Sequence, residues 1–384
     1  MPVTRRHLTC LLLIGLLPAA IPAAESESAA GHSASRMTDA AVALIGLFDE
    51  EQKKQALLPL ESDGRGTWSN LPVFFVHPNG IFMSELDDAQ RSAVHDLLRA
   101  SLSSQGYAKI AGIMRLDDML KELTAEQLES NPDMGKDPLW HALGATYTSG
   151  NYTVAIFGSP GKGDWGWKLD GHHVGANFTV AGDRVGLTPT FLGSNPRKLS
   201  SGNYAGWMPM PHEGDRGIEL MRSLTPEQRD IATITGELPA DIFEGPGLRA
   251  TLEAQEGIRA SALSVRQMRL LRVLIREYLA NLDFDAADAQ LAAIDEAGAE
   301  DLWFSWRGPV DPNGRFYYRV HGPRVLIEYN RQDANHDHSI VRDPRNDYGE
   351  EWLERHYREY HPTLQEVLES GRKRAVEEYG ATPR

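Results

Sequence analysis

Cysteine is almost absent from this chain of 384 residues. The one cysteine, Cys10, lies in an N-terminal segment that we predict to be removed as a signal peptide. A mature chain without cysteine can form no disulfide, and it offers no thiolate as a nucleophile or metal ligand. Any bound metal would therefore be held mainly by nitrogen and oxygen atoms.

Basic residues are in the minority, with 39 Lys and Arg against 54 Asp and Glu, which gives a net charge of −15. An acidic surface disfavours nucleic acid and anionic membranes as partners. Long apolar runs are also lacking, because the stretch from Leu8 to Leu17 is too short to span a bilayer. We expect a small-molecule substrate, no nucleic-acid partner and no stable membrane span in the mature chain. The sequence does not indicate an oligomeric state.

The first 24 residues have the order of an export signal. Arg5 and Arg6 precede the apolar run, and small residues follow it up to Ala24. The two arginines also resemble a twin-arginine signal, although an ordinary secretory signal with two arginines remains an alternative. We predict export to the periplasm or the extracellular space. Residues 25–36 are poor in apolar side chains and are predicted to be a flexible leader.

The remaining chain alternates between helical and strand-like stretches. Residues 264–279 carry apolar side chains at helical spacing, and Ala181-Gly182-Asp183 lies between two apolar stretches as in a tight hairpin. Val73 to Val76 is predicted to be a strand. We predict one α+β domain over residues 37–384, with an antiparallel sheet core and helices packed around it. We find no internal repeat in the sequence.

Histidines provide the clearest chemical signal. His336 and His338 form an H-x-H pair, and alternate residues of a strand point to the same face. A second pair, His172 and His173, opens another strand-like stretch. Neutral imidazole is the commonest metal ligand, so we predict a site formed by His336, His338 and one of His172 or His173. A twisted or bulged strand leaves the choice between the last two open.

Tracing the strand faces places further polar side chains beside these histidines. Glu328 would be a fourth ligand or a general base, and His321 a second catalytic group. Arg319 and Arg342 would bind an anionic group of the substrate, because guanidinium pairs well with carboxylate. Asp343 would orient a ligand histidine. The alternative is a solvated outer face of an antiparallel sheet, on which polar residues are common.

These residues predict an exported metal-dependent enzyme that acts on a small anionic substrate. One transition metal ion is expected, and nitrogen and oxygen ligands suit Cu, Fe or Zn. Zinc would give hydrolytic chemistry and Cu or Fe oxidative chemistry, and we favour the oxidative reading because twin-arginine export carries folded, cofactor-loaded proteins. The alternative is a secreted small-anion-binding protein that uses Arg319, Arg324 and Arg342 without a metal.

The chain also resembles a bacterial secreted family catalogued as domain of unknown function number 3500. The resemblance covers nearly the whole mature chain and is carried by several short stretches. They are Trp167 with Asp170-Gly171-His172-His173 and Asn177, 188–196, 322–328, Asn335-His336-Asp337-His338-Ser339, Arg342-Asp343-Pro344, 346–349 and His356-Tyr357. The resemblance implies that both histidine segments belong to one domain, but it implies no reaction. Asp337 departs from the apolar residue expected between the two histidines.

Overall fold

The computed structural model describes residues 29–252 and 254–354. The predicted signal peptide, residues 25–28 of the predicted leader and residues 355–384 lie outside the described residues. Within the described part, none of the helices has the length and apolar character needed to cross a membrane.

Helices and strands alternate along the described chain. The helices are α1 (Ala29–Leu47), α2 (Glu50–Ala56), α3 (Asp88–Ser101), α4 (Ser104–Ser130), α5 (Pro138–Thr146), α6 (Glu213–Ser223), α7 (Pro226–Ala232), α8 (Val265–Leu279) and α9 (Phe284–Glu296). The strands are β1 (Leu57–Leu58), β2 (Ile81–Phe82), β3 (Thr153–Gly158), β4 (Trp165–Gly171), β5 (Val174–Ala181), β6 (Arg184–Gly186), β7 (Thr190–Ser194), β8 (Ile258–Arg259), β9 (Trp303–Arg307), β10 (Phe316–His321), β11 (Leu326–Asp333) and β12 (His336–Arg342).

The strands form one sheet in the order β1-β3-β4-β5-β7-β12-β11-β10-β9-β8, while β2 pairs with β3 and β6 pairs with β5. All pairings between these strands are antiparallel except that of β1 with β3. This confirms the predicted α+β class with an antiparallel sheet core.

The start of α1 corrects the prediction of a flexible leader. The helix begins at Ala29, so residues 29–36 are helical. Ser33 and Ala34 are buried, and the Ser33 hydroxyl donates a hydrogen bond of 2.5 Å to Asp283. Alanine has the highest helix propensity, and burial of one helix face adds to it, although few large apolar side chains are present.

The fold contains an internal repeat that we did not find in the sequence. Two segments of the chain begin with Gly-Ile, at residues 80–81 and 257–258. In both segments Ser, Leu and Gln follow four, six and ten residues after the glycine. Gln90 and Gln267 both complete capping boxes at the starts of α3 and α8. The same capping boxes recur at the starts of α2 and α7. The expectation of no repeat is therefore wrong. The sequence did not reveal the repeat because few identical residues accompany the repeated backbone pattern.

Strand pairing follows the same register in both halves. Ile81 pairs with Val154 in the first half, and Ile258 pairs with Phe304 in the second. The later ladders correspond in the same way: Trp165 with Val180 matches Phe316 with Arg331, and Ala176 with Thr190 matches Ile327 with Val341. One half is therefore built from α1 to β7 and the other from α6 to β12, with α5 present only in the first.

The two halves meet at the centre of the sheet, where β7 and β12 run antiparallel to each other. Equivalent strands then follow outward, with β5, β4 and β3 on one side matching β11, β10 and β9 on the other, so an approximate two-fold axis passes between β7 and β12. The helical layer obeys the same relation, because Ser103 N donates to Asn281 O and Asp283 N donates to Ser101 O. Each half contributes one wall to any site near the axis.

The two faces of the sheet are covered differently. Helices pack on one face over two apolar clusters, one in each half. The other face carries the polar side chains traced in the sequence, and the segment 234–257 lies over much of it. Asn330 Nδ2 donates to Pro239 O, and the Arg342 guanidinium donates to Glu244 O. A solvated outer face is therefore the wrong interpretation for most of these residues, because they are buried, while His321 and His336 are partly exposed.

Candidate metal site

Three histidines meet where β5, β7 and β12 lie side by side. His336 and His338 are in β12, and His173 lies in the two-residue turn between β4 and β5. His336 Nε2 is 3.0 Å from His173 Nε2 and 2.9 Å from His338 Nε2. The three side chains can offer ligand atoms that all lie within 4.8 Å of one another, so this cluster could hold a metal ion.

The backbone of Gly193 brings the two halves of this cluster together. Gly193 pairs with His338 across the ladder of β7 and β12, and its N–H donates to His173 O at 2.8 Å. A Cβ at this position would lie 2.7 Å from His173 Cδ2 and 2.9 Å from His338 Cδ2. Both distances are too short for carbon atoms, so only glycine leaves room for the two rings.

The structure separates His172 from His173. His173 has a φ of 64°, in the left-handed region, so the pair forms a turn and does not open the strand as predicted. His172 Nδ1 lies 2.8 Å from Asp117 Oδ1, and its ring stacks on His173 with centroids 3.8 Å apart. Asp117, His172 and His173 form a second group that could hold a metal, but His173 is the one that faces His336.

A carboxylate fixes the orientation of His338. Asp241 Oδ1 lies 2.7 Å from His338 Nδ1. An ionised carboxylate can only accept, so Nδ1 donates this hydrogen bond and Nε2 is left as the ligand atom. Burial acts to raise the pKa of Asp241, but the hydrogen bond and charge of His338 more than offset it, so the pKa is lowered. This carboxylate–histidine pair is the arrangement that commonly supports a metal ligand.

Burial keeps the other two imidazoles neutral. It lowers the pKa of His173 well below the usual value, and the neighbouring histidines lower it further. Burial and the adjacent His338 lower the pKa of His336 to about 4. A proton on His336 Nε2 can point at only one of its two neighbours, so hydrogen bonds cannot satisfy both short contacts fully. A cation that accepts the lone pairs of all three Nε2 atoms would satisfy all three nitrogens at once.

The distances fit a metal with imidazole ligands. Two nitrogens 2.9 to 3.0 Å apart subtend about 90° at a metal roughly 2.05 Å from each, a usual metal–nitrogen distance. His338 and His173 are buried, whereas His336 is partly exposed and the Asp241 side chain is 43% exposed. The cluster therefore has one face towards solvent, where further ligands have access.

Glu328 occupies a different position from the one predicted. Its carboxylate accepts hydrogen bonds from Phe243 N at 2.9 Å, Glu244 N at 2.8 Å and Tyr317 Oη at 2.7 Å. Burial raises the pKa of Glu328, although these hydrogen bonds act to lower it. Among the described residues, neither group that could hold a metal includes Glu328. The fourth-ligand prediction is corrected, because Glu328 anchors the covering segment 234–257.

His321 and Arg319 are also remote from the cluster. Tyr317 aligns with His338 across β10, β11 and β12, and His321 lies four residues further along β10, roughly 13 Å away at strand spacing. Arg319 is buried and bonds Glu256 at 3.0 Å. The prediction that these two residues join the histidines in one catalytic centre is therefore wrong in its geometry.

Arg342 and Asp343 are committed to other partners. The Arg342 guanidinium donates to Asp347 at 2.8 Å and to the carbonyl oxygens of residues 244, 245 and 248. Asp343 pairs with Arg324 at 2.9 Å instead of orienting a histidine, and burial raises its pKa to about 6. Arg342 therefore holds the covering segment in place.

Sequence reasoning missed the residues that support the cluster. Asp241 and Asp117 are far from the histidines in the chain and belong to no recognisable motif. Gly193 lies in the sequence stretch shared with the family, but its role depends on two side chains from other strands. No local spacing rule could have found these three.

Comparison with known proteins gives one result. A family model described as "Protein of unknown function (DUF3500)" matches residues 30–350. The chain belongs to this family, since the match covers most of its length. No curated protein and no solved structure matches the chain significantly.

Proposed function

We propose that His173, His336 and His338 bind one transition metal ion and that this member of the DUF3500 family is an exported metal-dependent enzyme. The observation that carries the proposal is the convergence of three Nε2 atoms, since His336 Nε2 lies 3.0 Å from His173 Nε2 and 2.9 Å from His338 Nε2. The Asp241 carboxylate behind His338 supports it, because structural histidines need no such convergence of lone pairs.

Three protein ligands leave coordination positions for water or substrate, as catalytic metals require. The metal would polarise a substrate or bound water, or exchange electrons if it is Cu or Fe. Asp241 would keep the proton on His338 Nδ1, and Gly193 would keep both rings in place. We favour a redox metal, because the twin-arginine export suggested by Arg5 and Arg6 carries folded proteins that are already loaded with their cofactor.

We propose that the substrate is small and anionic. We do not assign Arg319 or Arg342 to it, because Arg319 donates to Glu256 and to Ala254 O, and Arg342 donates to Asp347 and to Glu244 O. Arg197 is better placed, since its backbone N–H donates to the carbonyl oxygen of Asn335, the residue before His336. Its side chain is 17% exposed, and its Nε lies 4.0 Å from Asp337 Oδ2. Export itself remains a proposal that rests on residues 1–24.

The test is metal analysis of the protein purified without a histidine tag. We expect close to one equivalent of a transition metal, or tight binding of one equivalent by the chelator-treated protein. His336→Gln with His338→Gln should abolish binding, whereas His77→Gln, which removes an exposed histidine outside the cluster, should not. Retained binding in the double variant, or no binding in the wild type, would refute the metal site.

Catalysis is tested separately, with a panel of small anionic substrates under hydrolytic and oxidative conditions. Turnover that is lost in the double variant and kept in His77→Gln would support the proposal that the protein is a metal-dependent enzyme. A metal that only raises the melting temperature, with no turnover on any substrate, would instead indicate that it joins the two halves of the fold.

A further inference from the structure

The two-fold relation between the halves gives the histidine cluster a counterpart on the other side of the axis. His173 lies between the paired residues Gly171 and Val174, and Arg324 follows Gly322 at the same place in the second half. Thr179 pairs with Gly186 as Asn330 pairs with His338, so Gly186 corresponds to His338.

The third ligand position has a counterpart as well. Arg184 pairs with Ala181 at the end of its ladder, and His336 pairs with Asp333 at the end of the equivalent ladder, after a bulge. The counterpart site thus replaces three imidazoles by two guanidiniums and a glycine. A centre suited to a cation in one position becomes a centre suited to an anion in the other.

These counterpart residues line a cavity of about 310 Å³. Besides Arg184, Gly186 and Arg324, its wall includes Trp352 and the α9 alanines Ala286 and Ala293. A Cβ on Gly186 would lie 3.2 Å from the Trp352 ring, so the glycine lets the indole close this side. The cavity therefore combines two arginines and an apolar wall with two carboxylates, Glu296 and Asp343, of which Asp343 is paired with Arg324.

The two arginines differ in how they are held. Arg324 is fixed by Asp343 at 2.9 Å and by Glu351, and its buried Nε has no partner among the described residues. Arg184 lies over the Trp352 ring at 5.3 Å, and no ion pair of its guanidinium is found in the described part of the chain. Arg184 is thus oriented by the indole with its N–H groups open to a ligand.

We propose that this cavity is a second binding site, distinct from the histidine cluster, for a small organic carboxylate. The carboxylate would accept hydrogen bonds from Arg184 and from Arg324 Nε, and the apolar body would lie against Trp352 and the alanines of α9. The apolar wall selects an organic acid over an inorganic oxyanion, because phosphate offers nothing to that wall.

The test is calorimetric titration of the full chain with hexanoate, acetate and inorganic phosphate at constant ionic strength. Hexanoate should bind more tightly than the other two. Arg184→Gln should weaken it about ten-fold or more, the usual effect of losing a charged hydrogen bond. Arg99→Gln, which removes the same charge from an exposed pair on α3, should leave it unchanged.

Two further arms distinguish the sites and the ligands. Ala293→Leu, which narrows the apolar wall, should weaken hexanoate but not acetate. His336→Gln with His338→Gln should leave hexanoate binding intact, so a failure of the metal proposal would not affect this one. The proposal is overturned if wild-type protein does not bind hexanoate, if Arg184→Gln binds it normally, or if the histidine variant loses it.

Discussion

Asp241→Asn tests directly how the metal ligands are held. The Asp241 carboxylate lies 2.7 Å from His338 Nδ1, and its side chain is 43% exposed. Asparagine keeps the shape but loses the charge that makes the imidazole a stronger ligand and fixes its tautomer. Loss of such a carboxylate costs about 10- to 100-fold in metal affinity, or about 1.4 to 2.7 kcal/mol. The free energy of unfolding should change by only about 0.5 kcal/mol, as for other half-exposed positions.

Asp117→Asn is the matched control. Asp117 holds His172 with the same geometry, at 2.8 Å, but His172 does not face His336. If His173 is the ligand, this variant should keep its metal affinity within about three-fold, which is below the effect of losing a ligand's carboxylate partner. The assay is calorimetric titration of Zn²⁺ and Cu²⁺ into tag-free apoprotein, with urea denaturation of each variant as the measure of folding.

The two variants together can refute the reasoning. A strong loss in Asp117→Asn with no loss in Asp241→Asn would show that the group of Asp117, His172 and His173 holds the metal. Equal and small effects in both would show that neither carboxylate supports a ligand. Only a loss confined to Asp241→Asn agrees with the cluster described above.

Three further predictions follow from buried groups. Gly193→Ala should lower metal affinity about 100-fold, because a ring displacement approaching 1 Å is needed to relieve two short contacts; titration of the apoprotein measures it, and normal affinity would contradict it. His336 should contribute a loss of about 2 kcal/mol to the apoprotein's stability between pH 7 and pH 5, because its pKa is about 4 in the folded protein, whereas it takes up its proton near pH 6.5 when unfolded. Urea denaturation at both pH values should show a loss smaller by about that amount in His336→Gln, and an equal loss in both proteins would contradict this. Lys109→Met should destabilise the protein by about 3 to 5 kcal/mol, since it leaves Glu213 and Glu277 buried without their shared cation; a chemical denaturation midpoint close to wild type would refute this.

Local sequence signals predicted the elements whose stabilising contacts are local. The helical spacing over residues 264–279 predicted α8, which Ser264 caps, and the hairpin predicted at Gly182 connects β5 and β6. Val73 to Val76 was predicted to be a strand but forms turns, with Phe75 about half exposed. Its apolar residues have the composition of a strand, but no neighbouring strand pairs with them in the described structure.

The candidate site was only partly predictable. Strand alternation correctly brings His336 and His338 together, because period two is a property of the backbone itself. Alternation could not choose between His172 and His173, since both lie in a turn and His173 adopts a positive φ. Glu328 does share a sheet face with His338, but the covering segment decides what that carboxylate contacts.

The repeat is the feature that the sequence concealed most fully. Helix caps and strand registers can be kept while nearly every side chain changes, because they depend on backbone geometry and a few polar atoms. Arg184 and Arg324 would not be compared with His336 and His173 from the sequence alone. Their equivalence appears only when the ladders on both sides of β7 and β12 are read together.

The sequence by itself determined the class of fold, the lack of a thiolate ligand in the predicted mature chain, and the H-x-H pair, since each follows from composition or from the period of a strand. The tertiary structure decided which third histidine joins the pair, and which carboxylate supports it. It also decided that most of the polar face of the sheet is buried. Those outcomes depend on contacts between residues far apart in the chain, whose geometry is fixed only when the two halves pack around their shared axis.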